Sequence, residues 1–134
     1  MKFMLDTNVC IALIRRKDPS VLGRLQAESP GDVCASSITL AEMEYGAHKS
    51  AKTEQNRLAL AAFFAAIPVM PFDDAAAQEY GRIRAHLERR GTPIGSLDGL
   101  IAAHALAMRC VLVTNNEAEF RRVPGLRVEN WTKP

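Results

Sequence analysis

The stretch FMLDTN (residues 3–8) carries the pattern on which the rest of the chain is built. Its first three residues are apolar and have the length of a short buried strand, which ends at the polar side chains Asp6, Thr7 and Asn8. Residues 9–16 then have the composition of a helix, and we expect the Asn8 side chain to cap it. This stretch therefore predicts a strand, a turn and a helix in that order.

The same order recurs along the chain. Thr53 and Asp73 are expected to cap two later helices. Strands that alternate with helices are typical of an α/β sandwich around a mostly parallel sheet. Further strands are predicted at residues 33–35, 69–70, 111–113 and 126–129, and further helices at residues 19–28, 38–47, 54–66, 75–90, 97–107 and 117–121.

Length and composition exclude several classes of protein. The chain has 134 residues, of which 48% are hydrophobic and 24% charged, and its formal net charge is +2. A chain of this length buries roughly two-thirds of its unfolded surface, so we expect one domain over residues 1–134 without a structural disulfide or metal. The composition excludes a disordered or collagen-like protein. The longest apolar run, residues 58–67, is shorter than the roughly 18 to 20 residues of a membrane helix, so no membrane partner is expected.

Cysteine and histidine usage favours a reducing compartment and disfavours a zinc site. Cys10, Cys34 and Cys110 are odd in number, lie among apolar neighbours and show no C-x-x-C spacing. We therefore expect reduced core cysteines and a cytoplasmic protein. The histidines are too scattered for paired zinc ligands.

Polar and acidic residues follow the predicted strands at several points. Asp6 follows the first strand, Glu42 lies in the helix after the second, and Asp98 begins the helix before the fourth. Asn116 and Glu119 come just after the fourth strand. Ligands of open α/β sheets bind beyond the carboxyl ends of the strands, so we expect these side chains to converge on one end of the sheet.

Each of these residues also has a purely structural interpretation. Asp6 could form a turn at the end of its strand, and Asp98 suits the first turn of a helix because of the helix dipole. As a set, however, the residues favour a functional interpretation, because a buried carboxylate without a positive partner is costly. Two pairs have the spacing of a capping box, namely Thr39 with Glu42 and Asn116 with Glu119.

A metal ion is the positive partner that the sequence suggests. The segments immediately around Asp6, Glu42 and Asp98 contain no lysine or arginine that could form a local salt bridge. Oxygen ligands without histidine or cysteine favour Mg²⁺ or Mn²⁺ over zinc. The pattern therefore indicates metal-assisted phosphoryl chemistry.

Four stretches together resemble one known family. They are MLDTN (residues 4–8), SSITLAEMEYGAHKS (residues 36–50), GTPIGSLDGLIAAHAL (residues 91–106) and LVTNNEAEFRRVPGLRVENW (residues 112–131). In order and spacing they are similar to PIN-domain ribonucleases of the VapC toxin type, from Met4 to Trp131. The resemblance implies a PIN-like three-layer α/β/α sandwich with a mostly parallel central sheet of about five strands, formed by a single PIN domain.

The resemblance also implies an activity and a set of site residues. It implies a Mg²⁺-dependent endoribonuclease, with Mn²⁺ able to substitute, that cleaves RNA such as tRNA and inhibits translation and growth. Asp6, Glu42 and Asp98 match the acidic metal ligands of the family. Many relatives have Asp where this chain has Asn116, and Glu119 is a candidate replacement one turn later, so both are included among the expected catalytic residues.

Supporting residues and partners follow from the same resemblance. Thr7 and Asn8 are expected to orient Asp6, and Thr114 to bind a carboxylate or the scissile phosphate. The implied partners are a VapB-type antitoxin, seated in a groove near the active site, a second copy of the chain in a homodimer, and RNA. Basic residues that could hold RNA phosphates are Lys49, Lys52, Arg82, Arg84, Arg89, Arg90, Arg121 and Arg122.

Two alternatives stay open from the residues alone. A phosphatase with Asp6 as its nucleophile would also place an aspartate after the first strand, but Asn8 stands where such enzymes have a second aspartate. A non-catalytic RNA- or protein-binding module with the same fold is the other alternative.

Overall fold

The computed structural model describes residues 1–132 and contains five strands, seven α-helices and one 3-10 helix (Pro30–Asp32) within that range. The strands are β1 (Phe3–Leu5), β2 (Val33–Ser36), β3 (Val69–Met70), β4 (Val111–Val113) and β5 (Val128–Glu129). The helices are α1 (Thr7–Arg15), α2 (Pro19–Ala27), α3 (Ser37–Lys49), α4 (Thr53–Ala66), α5 (Asp74–Arg89), α6 (Ser96–Met108) and α7 (Glu117–Phe120). The last two residues of the predicted domain 1–134 lie outside the described residues.

The strands form one parallel sheet in the order β3-β2-β1-β4-β5. The central strand is β1, and its Leu5 lies beside Ala35 of β2 and Val113 of β4. The backbone N–H of Asp6 donates to the Val113 carbonyl at 3.0 Å, which continues the ladder just beyond the strand. The residues that follow these two strands, Asp6 and Thr114, therefore lie at the same edge of the sheet.

Helices cover both faces of this sheet. Leu5 points into a core with α1 to α4 that includes Leu13 and Leu60. Met4 points to the opposite face and belongs to a second core with α5 and α6 that includes Ile101. Because β1 is buried on both sides, its sequence is a continuous apolar run. These three layers confirm the predicted α/β/α sandwich around a parallel sheet.

The observed ends of the elements correct two predictions. The strand predicted at residues 126–129 shortens to Val128–Glu129. The predicted Thr53 cap is wrong, because Thr53 is already the first residue of α4 and its hydroxyl donates to a backbone carbonyl of the preceding turn at 3.1 Å. The predicted Asp73 cap is confirmed, since its Oδ1 accepts a hydrogen bond from the Ala76 N–H at 3.0 Å.

The long apolar run at residues 58–67 is only partly buried. Leu60 and Ile67 are each 6% exposed, whereas Leu58 is 68% exposed. The run therefore gives one side of α4 to the core and leaves the other side in solvent. Among residues 1–132, no helix has the length and apolar character needed to cross a membrane.

Small polar and sulfur-containing side chains fill part of the interior. The three cysteines are free and buried, as the sequence predicts. His104 is buried as well, with Nδ1 2.8 Å from the Ser36 hydroxyl oxygen and its ring edge-on to Phe72. Burial lowers the pKa of His104, so the folded protein holds a neutral ring at neutral pH.

Truncation of the β4 core residue should cost far more stability than truncation of an exposed leucine. We expect Leu112→Ala to lower the free energy of unfolding by about 2–5 kcal/mol, because a cavity replaces a fully buried side chain. Leu58→Ala removes the same atoms from a largely exposed position and should change it by less than about 0.5 kcal/mol. Urea unfolding followed by circular dichroism measures both, and equal losses would contradict the burial of Leu112.

Candidate active site

Asp6 lies at the junction of β1 and α1, and its side chain is 4% exposed. Its Oδ1 accepts a hydrogen bond from the Val9 N–H at 2.9 Å, which makes Asp6 the N-cap of α1. The side chain of Thr114, at the end of β4, also hydrogen-bonds to Asp6. Burial raises the pKa of Asp6 and the charge of Glu42 adds to the rise, although the two hydrogen bonds oppose it. The carboxylate is thus held by neutral donors in a place that favours a positive charge.

The prediction that Asn8 caps the first helix is wrong. Asn8 is an exposed residue of the first turn, and Asp6 takes the capping position two residues earlier. Asn and Asp are similarly good capping residues, so composition alone does not distinguish them. The end of β1 at Leu5 decides between them, because the helix begins at the next residue but one.

Glu42 lies on α3 and contacts α1 through Thr7. Its Oε1 is 2.8 Å from Thr7 Oγ1, which in turn is 3.2 Å from Thr39 Oγ1. The capping-box interpretation of Thr39 and Glu42 is therefore wrong. The cap of α3 is Ser36, whose Oγ accepts a hydrogen bond from the Ile38 N–H at 3.0 Å. A serine three residues before Thr39 was the signal that Thr39 lies inside the helix and is free for another role.

Asp98 lies in the first turn of α6 and is half-buried. Burial raises the pKa of Asp98 to about 6, and the negative charges of Glu119, Asp6 and Glu42 contribute to the rise. The side chains of Asp98 and Glu119 both approach Gly95. A Cβ atom built on this glycine would lie 3.8 Å from Oδ2 of Asp98 and 3.8 Å from Oε1 of Glu119. The four carboxylates are thus close enough to repel one another.

Asn116 and Glu119 are bonded to each other at the rim of this group. Asn116 Nδ2 donates to Glu119 Oε2 at 2.6 Å, and the Gly95 N–H donates to Glu119 Oε1 at 2.9 Å. Arg122 also reaches the loop before α6, where it donates to the Pro93 carbonyl at 3.0 Å. Glu119 and Arg122 therefore connect the segment that contains α7 to the loop that precedes Asp98. Of the pair, Glu119 supplies the carboxylate near Asp98.

The structure brings most of the predicted site residues together. Asp6, Glu42, Asp98 and Glu119 meet at the carboxyl end of the sheet, and no lysine, arginine or histidine among residues 1–132 forms an ion pair with any of them. Asn8, which is expected from the sequence to orient Asp6 and cap α1, is exposed and does not cap this helix. Thr39 and the Gly95 N–H are the contacts that sequence reasoning missed.

The donor set fits a hard divalent cation. It consists of carboxylates with threonine hydroxyls beside them, and oxygen donors of this kind suit Mg²⁺ and Mn²⁺. In the part of the chain that the structure describes, no group of three or more Asp, Glu, His or Cys side chains is close enough together to hold a metal ion without other ligands. Mg²⁺ is commonly held by one or two carboxylates and completes its shell with water and substrate phosphates, so an open acidic group is compatible with it.

The basic residues expected to contact RNA all lie on the surface. Three of these arginines form ion pairs within their own helix or its last turn. Arg82 pairs with Glu79, and the pairs of Arg84 with Glu88 and of Arg121 with Glu117 are each at 3.1 Å. Exposed ion pairs are weak, so these arginines can exchange their partner for a phosphate. The exposed set comprises Lys49, Lys52, Arg82, Arg84, Arg89, Arg90, Arg121 and Arg122.

Comparison with known proteins agrees with the fold. The PIN domain model matches residues 3–126. The chain is 47% identical over 132 residues to the tRNA(fMet)-specific endonuclease VapC of Shigella flexneri, covering 98% of this chain and 99% of that protein. It is 42% identical to Ribonuclease VapC2 of Rickettsia felis, covering 99% of this chain and 100% of that protein. A chain in the crystal structure of DNA-bound VapBC from Salmonella typhimurium superposes with a TM-score of 0.93, at 45% identity and 98% coverage of both chains. This chain therefore belongs to the PIN domain family, in the group of the VapC ribonucleases.

Proposed function

We propose that this chain is a divalent-metal-dependent endoribonuclease and the toxin of a toxin–antitoxin pair. The observation that carries the proposal is that Asp6, Glu42, Asp98 and Glu119 lie near one another at the carboxyl end of the sheet, where no basic side chain among residues 1–132 pairs with them. The relatives named as a tRNA-specific endonuclease and as a ribonuclease support the reaction. The two cores share one sheet, which supports a single domain over the chain.

Asp6, Asp98 and Glu42 are the proposed ligands of Mg²⁺, for which Mn²⁺ can substitute. When bound, the ion supplies a Lewis acid that polarises a phosphoryl oxygen and lowers the pKa of water beside it. Asp6 is already oriented for this role, since the Val9 N–H and Thr114 hold its carboxylate. Asp98 has to lose the proton that its raised pKa of about 6 favours in mildly acidic solution.

Glu42 is also the proposed proton acceptor for the attacking water. Thr7 holds its Oε1 at 2.8 Å, which leaves Oε2 to accept a proton. The water then attacks phosphorus in line with the leaving oxygen of the RNA backbone. Glu119 fixes the loop before Asp98 through Gly95, and Asn116 is a polar contact at the rim. The phosphatase alternative is not favoured, because Asn8 is exposed and an amide supplies no acidic proton.

Structured RNA is the proposed substrate, with tRNA as its leading member. The relative from Shigella flexneri is named for a tRNA, and the exposed lysines and arginines of this chain suit a phosphate backbone. An enzyme that acts on such RNA works in the cytoplasm, which is the compartment we propose.

A VapB-type antitoxin is the proposed partner. Relatives of known structure were crystallised as VapBC complexes. In this chain a groove of about 260 Å³ runs between α1, α3 and α4 and has Glu42 in its lining. Its apolar residues include Ile11, Met43, Ala59 and Leu60, which suit an apolar peptide segment. A segment in this groove would reach the acidic group, and a homodimer or a toxin–antitoxin hetero-oligomer is the proposed assembly.

Loss of a proposed ligand or base should remove RNA cleavage without unfolding the protein. We expect Asp6→Asn and Glu42→Gln each to lower the rate of Mg²⁺-dependent cleavage at least about 100-fold, because each amide keeps the shape and loses the charge. Asp74→Asn changes an exposed carboxylate in the first turn of α5 and is the matched control. Mapping of new RNA ends after incubation of antitoxin-free protein with total RNA measures the effect. Cleavage that persists in Asp6→Asn would contradict the proposal.

The raised pKa of Asp98 predicts how pH changes stability and metal binding. Its pKa of about 6 lies above the ordinary value of 3.8, so the folded state binds more protons between these values, and its contribution to stability falls as pH rises through that window. Mn²⁺ should therefore raise the melting temperature more at pH 7.5 than at pH 5, where protons compete for the carboxylates. Thermal melts with and without Mn²⁺ measure this.

Asp98→Asn is the control for that experiment. This substitution removes the titrating group. Any difference between the variant and the wild-type protein in the pH dependence of stability is therefore due to Asp98. His104, whose pKa is lowered by burial, acts in the opposite direction in both proteins and cancels in the difference. A response to Mn²⁺ that is the same at the two pH values would contradict the acidic metal site.

A charge placed in the groove should weaken antitoxin binding selectively. Ala59→Arg puts a long charged side chain among the apolar groove residues, and we expect at least about tenfold weaker binding of the cognate antitoxin with RNA cleavage retained. Ala62→Arg makes the same change on the exposed side of α4 and should leave binding unchanged. Co-purification and titration of the antitoxin measure both, and equal binding by the two variants would place the partner elsewhere.

A further inference from the structure

Thr39 is a fully buried polar residue to which the proposed mechanism gives no part. It lies in the first turn of α3, one turn before Glu42. Its Oγ1 is 3.2 Å from Thr7 Oγ1, and Thr7 Oγ1 is 2.8 Å from Glu42 Oε1. The three oxygens form a chain that leads from the interior to the acidic group.

The number of hydroxyl protons determines which oxygen donates in each of these two hydrogen bonds. Each threonine hydroxyl carries one proton, and an ionised carboxylate can only accept. The Thr7 hydroxyl therefore donates its hydrogen bond to Glu42. The lone pairs of Thr7 Oγ1 then remain to accept a hydrogen bond from Thr39. The contact of 3.2 Å can then be a hydrogen bond only if the Thr39 hydroxyl donates it.

The Thr39 hydroxyl has no comparable role in forming its own helix. Ser36 caps α3, so the start of the helix does not depend on Thr39. Threonine is no better than valine as a helix former. The contact with Thr7 is a hydrogen bond of the Thr39 hydroxyl, and no buried side-chain nitrogen or oxygen atom in the part described lacks a partner.

We propose that Thr39 is a positioning residue for Glu42 that acts through Thr7. By donating to Thr7 it fixes the direction of the Thr7 hydroxyl and polarises it toward Glu42 Oε1. Glu42 then presents Oε2 to water and metal in one orientation. The inference rests on the proposed function, in which Glu42 binds metal and accepts the proton.

Two variants of Thr39 separate this role from simple packing. Thr39→Val keeps the shape and removes the donor, and we expect kcat for RNA cleavage to fall about tenfold with KM unchanged. Thr39→Ser keeps the donor and removes a methyl group, so kcat should stay within about threefold of the wild-type value. Equal losses in the two variants, or a wild-type rate in Thr39→Val, would overturn the inference.

A double substitution tests whether Thr39 acts through Thr7. In a Thr7→Val background the chain is already broken, so adding Thr39→Val should change kcat by less than about twofold. Independent action of Thr39 would instead give the same tenfold loss as in the wild-type background, and this result would also overturn the inference.

Metal affinity supplies a readout that does not depend on RNA cleavage. We expect isothermal titration with Mn²⁺ to give a Kd several-fold weaker for Thr39→Val than for the wild type, with Thr39→Ser close to the wild type. If the wild-type protein binds Mn²⁺ but cleaves no RNA, the proposed function fails and this titration still decides on Thr39. Identical Mn²⁺ affinities in all three proteins, or no binding by the wild type, would overturn the inference.

Discussion

The buried carboxylate of Asp6 is the constraint to which the active end of the molecule is fitted. Its backbone extends the central strand, its Oδ1 begins α1, and its charge belongs to the acidic group. A carboxylate in this position loses most of its hydration, and the hydrogen bonds from Val9 and Thr114 offset only part of that cost. Since one residue performs all three tasks, the geometry of the site and the junction of strand and helix cannot vary independently.

The acidic group lowers the stability of the metal-free fold, and the rest of the structure compensates for it. Burial raises the pKa of Asp98, and the negative charges of Glu119, Asp6 and Glu42 raise it further, since no basic side chain among residues 1–132 forms an ion pair with these carboxylates. Two apolar cores, one on each face of the sheet, supply the opposing free energy. Beside the site, the Ser36 hydroxyl accepts from the Ile38 N–H and lies 2.8 Å from His104 Nδ1, which joins the start of α3 to α6. Electrostatic repulsion is thus concentrated at the place where a bound cation would relieve it.

The sequence predicts those parts of the fold that depend on local pattern. The apolar runs of β1 and β4 and the Asp73 cap of α5 are read from neighbouring residues, and the structure confirms them. Two of the wrongly predicted caps, those of α1 and α3, have a common reason. Asp, Asn, Ser and Thr all favour the same positions, and only the end of the preceding strand decides which of them is the cap.

The contacts within the acidic group depend on the tertiary fold, so local pattern does not reveal them. Glu119 binds the N–H of Gly95, which is 24 positions away along the chain. Thr7 of α1 contacts Glu42 of α3, which is 35 positions away along the chain. The sequence could place these residues at one end of the sheet, because parallel strands share an edge, but which atoms touch depends on how the helices pack on it.

The two outer strands, β3 and β5, are only two residues long each. A strand of that length offers few unpaired N–H and C=O groups, so neither side of the sheet can serve as a template for another extended chain. Edge strands this short disfavour edge-to-edge association between copies of the chain. For the same reason, the sheet edges offer a peptide little backbone to pair with, and a groove between helices recognises a peptide by its side chains.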